Sequence, residues 1–257
     1  MRDLIPSSIA ITGASGGIGG ALAEAYARPG VALTLLGRDA ERLASVATRC
    51  RTLGAEVRVK ALDLRDRAAL RAWLAAADAE RRFDLLIANA GVNTHVGPGG
   101  AGERWESVEE LLEVNVLGAI ASVDAVLAGM RARRRGQIAL ISSLAAYYGL
   151  PLTPSYCASK AALKAYGEGI RRSLAPTGIR VSVVMPGFVE SKMCREFPGP
   201  KPFLWPAARA ARAIQRGLRA DRARISFPFP LSLATWSLAV LPSSISGRLA
   251  ALLYSPD

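Results

Sequence analysis

A tyrosine and a lysine, Tyr156 and Lys160, are the first residues in this sequence whose types and spacing could support acid–base chemistry. They lie four positions apart in a stretch with helical periodicity, so both side chains share one face of the helix. A phenol titrates near pH 10, and a pKa of about 7 requires roughly 4 kcal/mol in favour of the anion. An ammonium group at about 4 Å supplies about this much at an effective dielectric constant of about 20. The pair predicts a general acid–base catalyst, and a pair without chemical function on a solvated helix face is the alternative.

A glycine-rich turn follows the first apolar run of the chain. Residues 12–19 read TGASGGIG, directly before a stretch with helical periodicity. Glycines let the backbone turn tightly and approach a diphosphate, and the free N–H groups at the start of a helix favour phosphate. A purely structural glycine turn is the alternative. The turn predicts a dinucleotide-binding site that includes Gly13, Ser15, Gly17, Ile18 and Gly19.

The residues after the second predicted strand bear on which dinucleotide binds. An NAD-type site has a carboxylate at this position to hold the ribose 2′-hydroxyl, whereas this sequence has Gly37 and Arg38. An arginine can form two hydrogen bonds with a 2′-phosphate, so the sequence favours NADP(H). NAD(H) is the alternative if Asp39 turns towards the ribose, although Asp39 is better placed as the N-cap of the next helix.

Two further loops contribute candidates for the dinucleotide site. Asp63, followed by Leu64, comes after the third predicted strand and could accept a hydrogen bond from the adenine amino group. The alternative for Asp63 is a residue of a helix N-terminus, where the helix dipole favours a carboxylate. Asn89, Ala90 and Gly91 follow the fourth strand, and their small size suits close approach of the backbone to a ligand.

The elements that must position these residues alternate between short apolar runs and longer Ala-rich amphipathic ones. Seven strands are predicted, at 9–12, 31–36, 56–61, 85–88, 138–141, 180–184 and 224–227. Six helices are predicted, at 18–28, 39–53, 66–81, 107–130, 155–176 and 206–219. This alternation predicts an α/β fold with one Rossmann-type, doubly wound, mostly parallel sheet and helices on both faces. Residues 1–257 are predicted to form a single domain that binds ligands beyond the carboxyl ends of its strands.

Taken together, these motifs resemble the short-chain dehydrogenase/reductase family over about residues 9–193. They occur in the order and at the spacing of the family: TGASGGIG at 12–19, NAG at 89–91, Asn115, Ser143, YxxxK at 156–160, and Pro186-Gly187. The resemblance implies an oxidoreductase that transfers a hydride between a nicotinamide and the carbon of a ketone or secondary alcohol. A dinucleotide-binding regulator without turnover is the alternative from another functional class.

The resemblance also implies a function for each catalytic residue. Tyr156 would donate or accept the proton at the substrate oxygen, and Lys160 would lower the pKa of Tyr156 and hold the nicotinamide ribose. Ser143 would hydrogen-bond the substrate oxygen, since the family spacing favours it over its neighbour Ser142. Asn115 would hold a water molecule in a proton relay, or alternatively kink its helix. The residues expected beside the nicotinamide carboxamide are Pro186, Gly187, Val189 and Ser191.

The end of the chain bears on the substrate. By the resemblance, residues 186–206 form a loop that closes over substrate, and its apolar side chains predict a hydrophobic carbonyl or alcohol: Phe197, Phe203, Leu204 and Trp205. Helix 206–219 carries arginines on one face, and residues 225–257 form an apolar C-terminal segment. In one interpretation the arginines are solvated and the tail completes the core or a subunit interface. In the other, both contact a membrane surface and deliver a lipid-like substrate, although 231–241, about 16 Å long, cannot span about 30 Å of bilayer.

Composition narrows the classes of protein further. Hydrophobic residues make up 51% and charged residues 21%, which favours a domain with a large core over a disordered chain. Three cysteines and one histidine, His95, predict no metal site, and His95 is interpreted as a polar loop residue near the active site. The net charge of +12 suits an anionic partner, but the sparse aromatics argue against nucleic acid. Asp3 and Pro6 do not fit a signal peptide, which predicts a cytoplasmic protein, and the family resemblance implies a homodimer or homotetramer.

Overall fold

Seven parallel strands form the central sheet of a computed structural model that describes residues 6–254, with side chains described for residues 6–249. The strands are β1 (Ser8–Thr12), β2 (Ala32–Gly37), β3 (Glu56–Ala61), β4 (Leu85–Ala88), β5 (Gly136–Ile141), β6 (Ile179–Pro186) and β7 (Arg224–Phe227). Their order is β3-β2-β1-β4-β5-β6-β7, and neighbouring strands are parallel. The predicted doubly wound α/β fold is confirmed. Asp3 and residues 255–257 of the predicted apolar segment lie outside the described residues.

The helices described are α1 (Gly17–Tyr26), α2 (Ala40–Thr52), α3 (Arg67–Glu80), α4 (Trp105–Leu112), α5 (Ala119–Ala132), α6 (Pro154–Leu174), α7 (Lys192–Glu196), α8 (Ala207–Arg219), α9 (Phe229–Val240) and α10 (Ser243–Tyr254). Five of the six predicted helices correspond to α1, α2, α3, α6 and α8, and the predicted helix 107–130 is divided into α4 and α5. The predicted helical stretch 231–241 lies almost entirely in α9.

The core consists of two apolar layers, one on each face of the sheet. Alternate residues of β1 point to opposite layers, because Ile9 and Ile11 pack with α1, α2 and α8 while Ala10 packs with α3, α5 and α6. Strands buried on both faces account for their nearly continuous apolar sequences. The strand order reverses between β1 and β4, where Thr12 lies opposite both Leu36 and Ala88. The carboxyl ends of these strands are therefore level, and ligands bind at this edge in doubly wound folds.

One long helical stretch, Trp105–Ala132, has the length and a mean hydropathy of 1.8 that suit a membrane span, but half of its apolar window is buried inside the protein. The α5 part packs against α3, and its Val123 and Val126 are fully buried in the core. A core helix of a doubly wound domain accounts for these features. The stretch is also irregular, because Glu113–Gly118 forms a π-helical turn between α4 and α5.

Candidate active site

A cavity of about 800 Å³ opens at the carboxyl ends of the strands. The loops after β1 to β6 line it, together with one side of α9. All the predicted site residues except Gly19 and Asn115 line this cavity: Gly13, Ser15, Gly17, Ile18, Arg38, Asp63, Leu64, Asn89, Ala90, Gly91, Ser143, Tyr156, Lys160, Pro186, Gly187, Val189 and Ser191.

The glycine turn between β1 and α1 has space only for glycine at two positions. Gly13 has a φ of +65°, and a Cβ there would lie 2.6 Å from the Cα of Ala90. A Cβ on Gly19 would lie 2.3 Å from the carbonyl oxygen of Gly13, so Gly19 allows α1 to pack closely under the turn rather than facing the cavity. No side chain caps the N-terminus of α1, and its first turn holds no acidic residue. Gly17 and Ile18 in that turn line the cavity, so its N–H groups suit an anionic ligand.

Two arginines lie beside this turn, and the sequence analysis identified only one of them. Arg38 follows β2, and its Nη1 donates to Oε1 of Glu110 on α4 at 2.6 Å. Arg42, which the sequence analysis missed, lines the cavity near Gly16, where an added Cβ would lie 2.7 Å from its Nη2. The predicted N-cap is confirmed, because Oδ1 of Asp39 accepts the backbone N–H of Arg42 at 2.9 Å. The carboxylate that could have favoured a ribose 2′-hydroxyl is thus engaged in capping α2.

The carboxylate of Asp63 is held by a neighbouring arginine at the edge of the cavity. Oδ2 of Asp63 accepts from Nη2 of Arg65 at 2.6 Å, and this hydrogen bond lowers the pKa of Asp63 below its usual value. The alternative prediction, that Asp63 belongs to a helix N-terminus, is wrong because Asp66 caps α3 by accepting from Ala69 N at 3.0 Å. Asp63 is therefore an ionised acceptor in the loop after β3.

The Tyr–Lys pair lies in the first two turns of α6, beside the end of β5. Lys160 is buried, and its Nζ donates to the carbonyl oxygen of Ile141 at 3.0 Å. This Nζ lies 5.4 Å from the ring centroid of Tyr156. The hydroxyl of Ser143 lies beside the phenol of Tyr156 and accepts from the backbone N–H of Ala145 at 3.1 Å, whereas the hydroxyl of Ser142 donates to the carbonyl of Lys160 at 2.7 Å. Ser143, Tyr156 and Lys160 thus form one contiguous group in the cavity wall.

The pKa values of this pair differ from the expectation drawn from the sequence. Burial raises the pKa of Tyr156 to about 12, and the hydrogen bond with Ser143 opposes this shift only in part. Burial also lowers the pKa of Lys160 to about 8. Lys160 does not bring the phenol towards pH 7 here, because its ammonium lies over the ring and bonds to the Ile141 carbonyl. These directions favour a protonated phenol on Tyr156 at neutral pH, a form that can donate a proton.

Asn115 lies behind the cavity wall, in the π-helical turn. It is fully buried, its Oδ1 accepts from Val92 N at 2.8 Å, and its Nδ2 donates to Val92 O at 3.0 Å. Nδ2 also donates to Oγ of Ser159, on α6, at 3.1 Å. The side chain therefore joins the loop after β4 to α6, and its role in holding a water molecule stays a prediction. The alternative prediction of an irregular helix at Asn115 agrees with the π-helical turn.

The other end of the cavity is mainly apolar. It is lined by Leu144, Tyr148, Leu150, Phe188, Cys194, Phe197, Leu231, Ala234, Thr235 and Leu238. His95 also lines it, with its ring 5.7 Å from that of Phe197 and its buried Nδ1 without a hydrogen-bond partner. The sequence analysis missed α9 as a wall of the site, because a helix that is apolar on all sides has no periodic signal.

Residues 186–206 only partly fit the predicted substrate loop. Phe188 and Phe197 line the apolar end of the cavity with their rings 5.4 Å apart. Phe203 and Leu204, in contrast, are 56% and 43% exposed, and Trp205 stacks on Phe227 with centroids 4.9 Å apart. The first half of the loop thus faces the site, and the second half faces outwards.

Comparison with known proteins gives matches over most of the chain. Residues 7–200 match the short chain dehydrogenase family. An uncharacterized oxidoreductase from Myxococcus xanthus (strain DK1622) is 36% identical over 95% of this chain and 96% of that protein. A putative ketoacyl reductase of the monensin polyketide synthase from Streptomyces virginiae is 34% identical over 72% of this chain and 71% of that protein. The solved structure of a short-chain dehydrogenase from Sphingobium yanoikuyae in complex with NADPH has a TM-score of 0.80 and 26% identity, over 97% of this chain and 96% of that one.

A glycine turn whose N–H groups suit an anion shares one cavity with a tyrosine–lysine pair, as expected of an oxidoreductase that works with a dinucleotide. The matches agree, and the chain belongs to the short-chain dehydrogenase family. It is an oxidoreductase that interconverts CH–OH and C=O groups with NAD(P).

Proposed function

We propose that this protein reduces a hydrophobic ketone to a secondary alcohol with NADPH, with Tyr156 as the proton donor. The observation that carries the proposal is the position of Ser143, Tyr156 and Lys160. They lie in one cavity between a polar end beside the glycine turn and an apolar end lined by Phe188, Phe197 and α9. A hydride donor at the polar end and a carbonyl group at the apolar end would meet beside the phenol.

The charges beside the glycine turn support NADP(H) over NAD(H). Arg38 and Arg42 both line the cavity there, and Asp39 is engaged as the cap of α2. A phosphate on the ribose 2′-oxygen would take the place of the Glu110 carboxylate as the anionic partner of Arg38. The Sphingobium relative, whose structure contains NADPH, supports the same choice. NAD(H) remains the alternative outcome of a binding test.

Other residues of the cavity would contact the ribose, the adenine and the rest of the dinucleotide. Lys160 uses one of its three N–H donors on Ile141, so two are left for the hydroxyls of the nicotinamide ribose. Asp63 and Leu64 would flank the adenine, and Ala90 and Gly91 would allow close approach of the dinucleotide. Asn89 would support the glycine turn rather than contact the dinucleotide, because its Nδ2 donates to the carbonyls of Thr12 and Gly13 at 3.2 and 3.0 Å.

The nicotinamide end would lie against the residues that follow β6. Pro186, Gly187 and Val189 line this part of the cavity and would flank the carboxamide. Ser191 would contribute mainly through its backbone, because its Oγ caps α7 by accepting from Cys194 N at 3.0 Å. When bound, the nicotinamide supplies the hydride.

The proton at the substrate oxygen would come from Tyr156. Its pKa of about 12 keeps the phenol protonated at neutral pH, which suits reduction. The hydroxyl of Ser143, which lies beside the phenol, would hold the carbonyl oxygen. The Streptomyces relative, a putative ketoacyl reductase, supports a ketone as the reacting group.

Oxidation of NADPH in the presence of candidate carbonyls tests this function. Bulky aromatic and long-chain aliphatic ketones should be reduced, and free sugars of similar size should not, because Phe188, Phe197 and Leu231 offer no hydrogen bonds. Binding of NADPH without turnover of any ketone, and of NADP⁺ without turnover of any alcohol, would instead indicate a non-catalytic regulator.

A further inference from the structure

The two faces of α9 are both apolar, and one of them is exposed. Phe229, Leu233, Trp236 and Val240 recur at helical spacing and are 74%, 48%, 47% and 60% exposed. α10 packs against α9 and adds Ile245 and Leu249, 47% and 42% exposed. We call these six side chains the outer apolar face. A helix that is apolar on all sides is stable when apolar groups cover all of its sides. The described part of the chain covers only the side of α9 that faces the cavity.

The inner side of the same helix lines the substrate end of the cavity. Leu231, Thr235 and Leu238 face the cavity, among the residues that the proposed function assigns to a hydrophobic substrate. α9 is therefore the partition between the outer apolar face and the site. A ligand that reaches the outer apolar face is one helix diameter from the site, about 10 Å.

Further exposed apolar side chains lie in the loop before α8. Trp205 stacks on Phe227, and exposed apolar side chains lie two residues or fewer from this contact on either side: Phe203, Leu204 and Phe229. The guanidinium of Arg209 lies 4.0 Å from the centroid of the Trp205 ring, so a cation borders the apolar surface there. Arg248, also exposed, lies between Ile245 and Leu249 in the sequence of α10.

Two partners could cover the outer apolar face, a second copy of the chain or a lipid surface, and charge favours one of them. The two cations beside the outer apolar face are Arg209 and Arg248, whereas Arg224 pairs with Glu168 at 2.6 Å and the one acidic residue of 197–254, Asp221, pairs with Arg171 at 2.8 Å. A second copy of the chain, packed through the same surface, would bring positive charge against positive charge. Anionic lipid headgroups would neutralise it, while the acyl region would cover the aromatic and aliphatic side chains.

We propose that the outer apolar face docks on the surface of an anionic lipid bilayer, with α9 lying in the plane of the interface. At 12 residues, α9 is about 18 Å long, too short to cross the bilayer but suited to lie in its interface. Docking places the apolar end of the cavity against the lipid, so a ketone dissolved in the bilayer enters the site past α9. This delivery step rests on the proposed function, whereas the docking itself does not.

Flotation of the full-length protein with vesicles tests the proposal. Vesicles of phosphatidylcholine and phosphatidylglycerol in equal parts should carry the protein to the top of a density gradient, and vesicles of phosphatidylcholine alone should carry much less. The double variant Phe229→Ser/Trp236→Ser should lower the partition onto anionic vesicles by about tenfold or more, because two aromatic anchors are lost. The matched control is Trp105→Ser, which removes a 66% exposed tryptophan on α4 and should float like the unmodified protein.

Three results would overturn the proposal. One is that the unmodified protein floats with neither kind of vesicle. Another is that the double variant floats as well as the Trp105→Ser control. The third is a dimer that the double variant dissociates, without flotation, which would make the outer apolar face a subunit interface. Unchanged NADPH binding shows that the variants are folded, and because flotation requires no turnover, it is independent of whether the proposed reaction is correct.

Discussion

Replacing Arg38 with alanine should weaken the binding of NADPH and leave the binding of NADH nearly unchanged. The variant loses a charge-assisted hydrogen bond to the 2′-phosphate, worth about 1.5–3 kcal/mol. Part of this loss is offset. In the unmodified protein NADPH binding breaks the exposed Arg38–Glu110 ion pair, worth at most about 1 kcal/mol, and the variant has no such pair to break. A net loss of about 1–2 kcal/mol raises the Kd for NADPH by about 5- to 30-fold.

Substitution of Glu110, the ion-pair partner of Arg38, should have the opposite effect on NADPH affinity. Glu110→Gln removes the carboxylate that competes with the phosphate, so NADPH should bind about two- to fivefold more tightly. In the Arg38→Ala background the same substitution should have a smaller effect on NADPH, because only the direct repulsion between the cavity-lining Glu110 and the phosphate remains to be removed. The matched control is Arg58→Ala, which breaks a pair with Glu80 of the same 2.6 Å distance outside the cavity and should change neither Kd.

Fluorescence titration with NADPH and NADH at one fixed ionic strength measures all of these constants, because exposed charge pairs are screened by salt. An equal loss for both dinucleotides in Arg38→Ala would mean that Arg38 supports the loop rather than the phosphate. An unchanged Kd for NADPH would refute the assignment of the 2′-phosphate to Arg38.

The remaining predictions concern the lysine, the glycine turn and Asn115. Because burial lowers the pKa of Lys160 to about 8, kcat/KM for ketone reduction should fall as pH rises through about 8, and a profile flat to pH 10 would contradict its role as an ammonium. Gly19→Ala forces a Cβ to 2.3 Å from a carbonyl oxygen and should lower the free energy of unfolding by about 1–3 kcal/mol and weaken NADPH binding. Gly169→Ala, with nothing within 4 Å of the added Cβ, is its control, and equal effects would contradict the packing argument. Asn115→Ala leaves the part-buried Val92 backbone groups without their side-chain partner and should cost about 1–3 kcal/mol in denaturant unfolding, whereas no measurable loss would show that the loop adapts.

The sheet could be predicted from the sequence because its strands are buried on both faces. Such strands are short, nearly continuous apolar runs, and the seven predicted runs correspond to β1 to β7. The glycine turn and the Tyr156–Lys160 pair are likewise local patterns, in which spacing along the chain fixes spacing in the structure. The division of the predicted helix 107–130 could not be predicted, since the π-helical turn is accompanied by hydrogen bonds between Asn115 and two residues distant in sequence, Val92 and Ser159.

The parts of the site that the sequence did not predict depend on contacts between distant segments. Glu110 reaches Arg38 across 72 positions, and Arg42 is brought beside the glycine turn only when α2 packs against α1. The pKa of Tyr156 also depends on tertiary structure, because the sequence indicates the neighbouring lysine but not the burial that raises this pKa. The helical conformation of most of α9 was predicted, but its function as a cavity wall was not.

The most direct test of the central claim is the turnover of Tyr156→Phe with NADPH and a ketone that the unmodified protein reduces. The substitution removes the phenol hydroxyl beside Ser143 and keeps the ring that lies under the Lys160 ammonium. We predict that kcat falls by about 10²- to 10⁴-fold, as expected for loss of a general acid, while the Kd for NADPH stays within about twofold. Turnover close to that of the unmodified protein would contradict the assignment of Tyr156 as the proton donor.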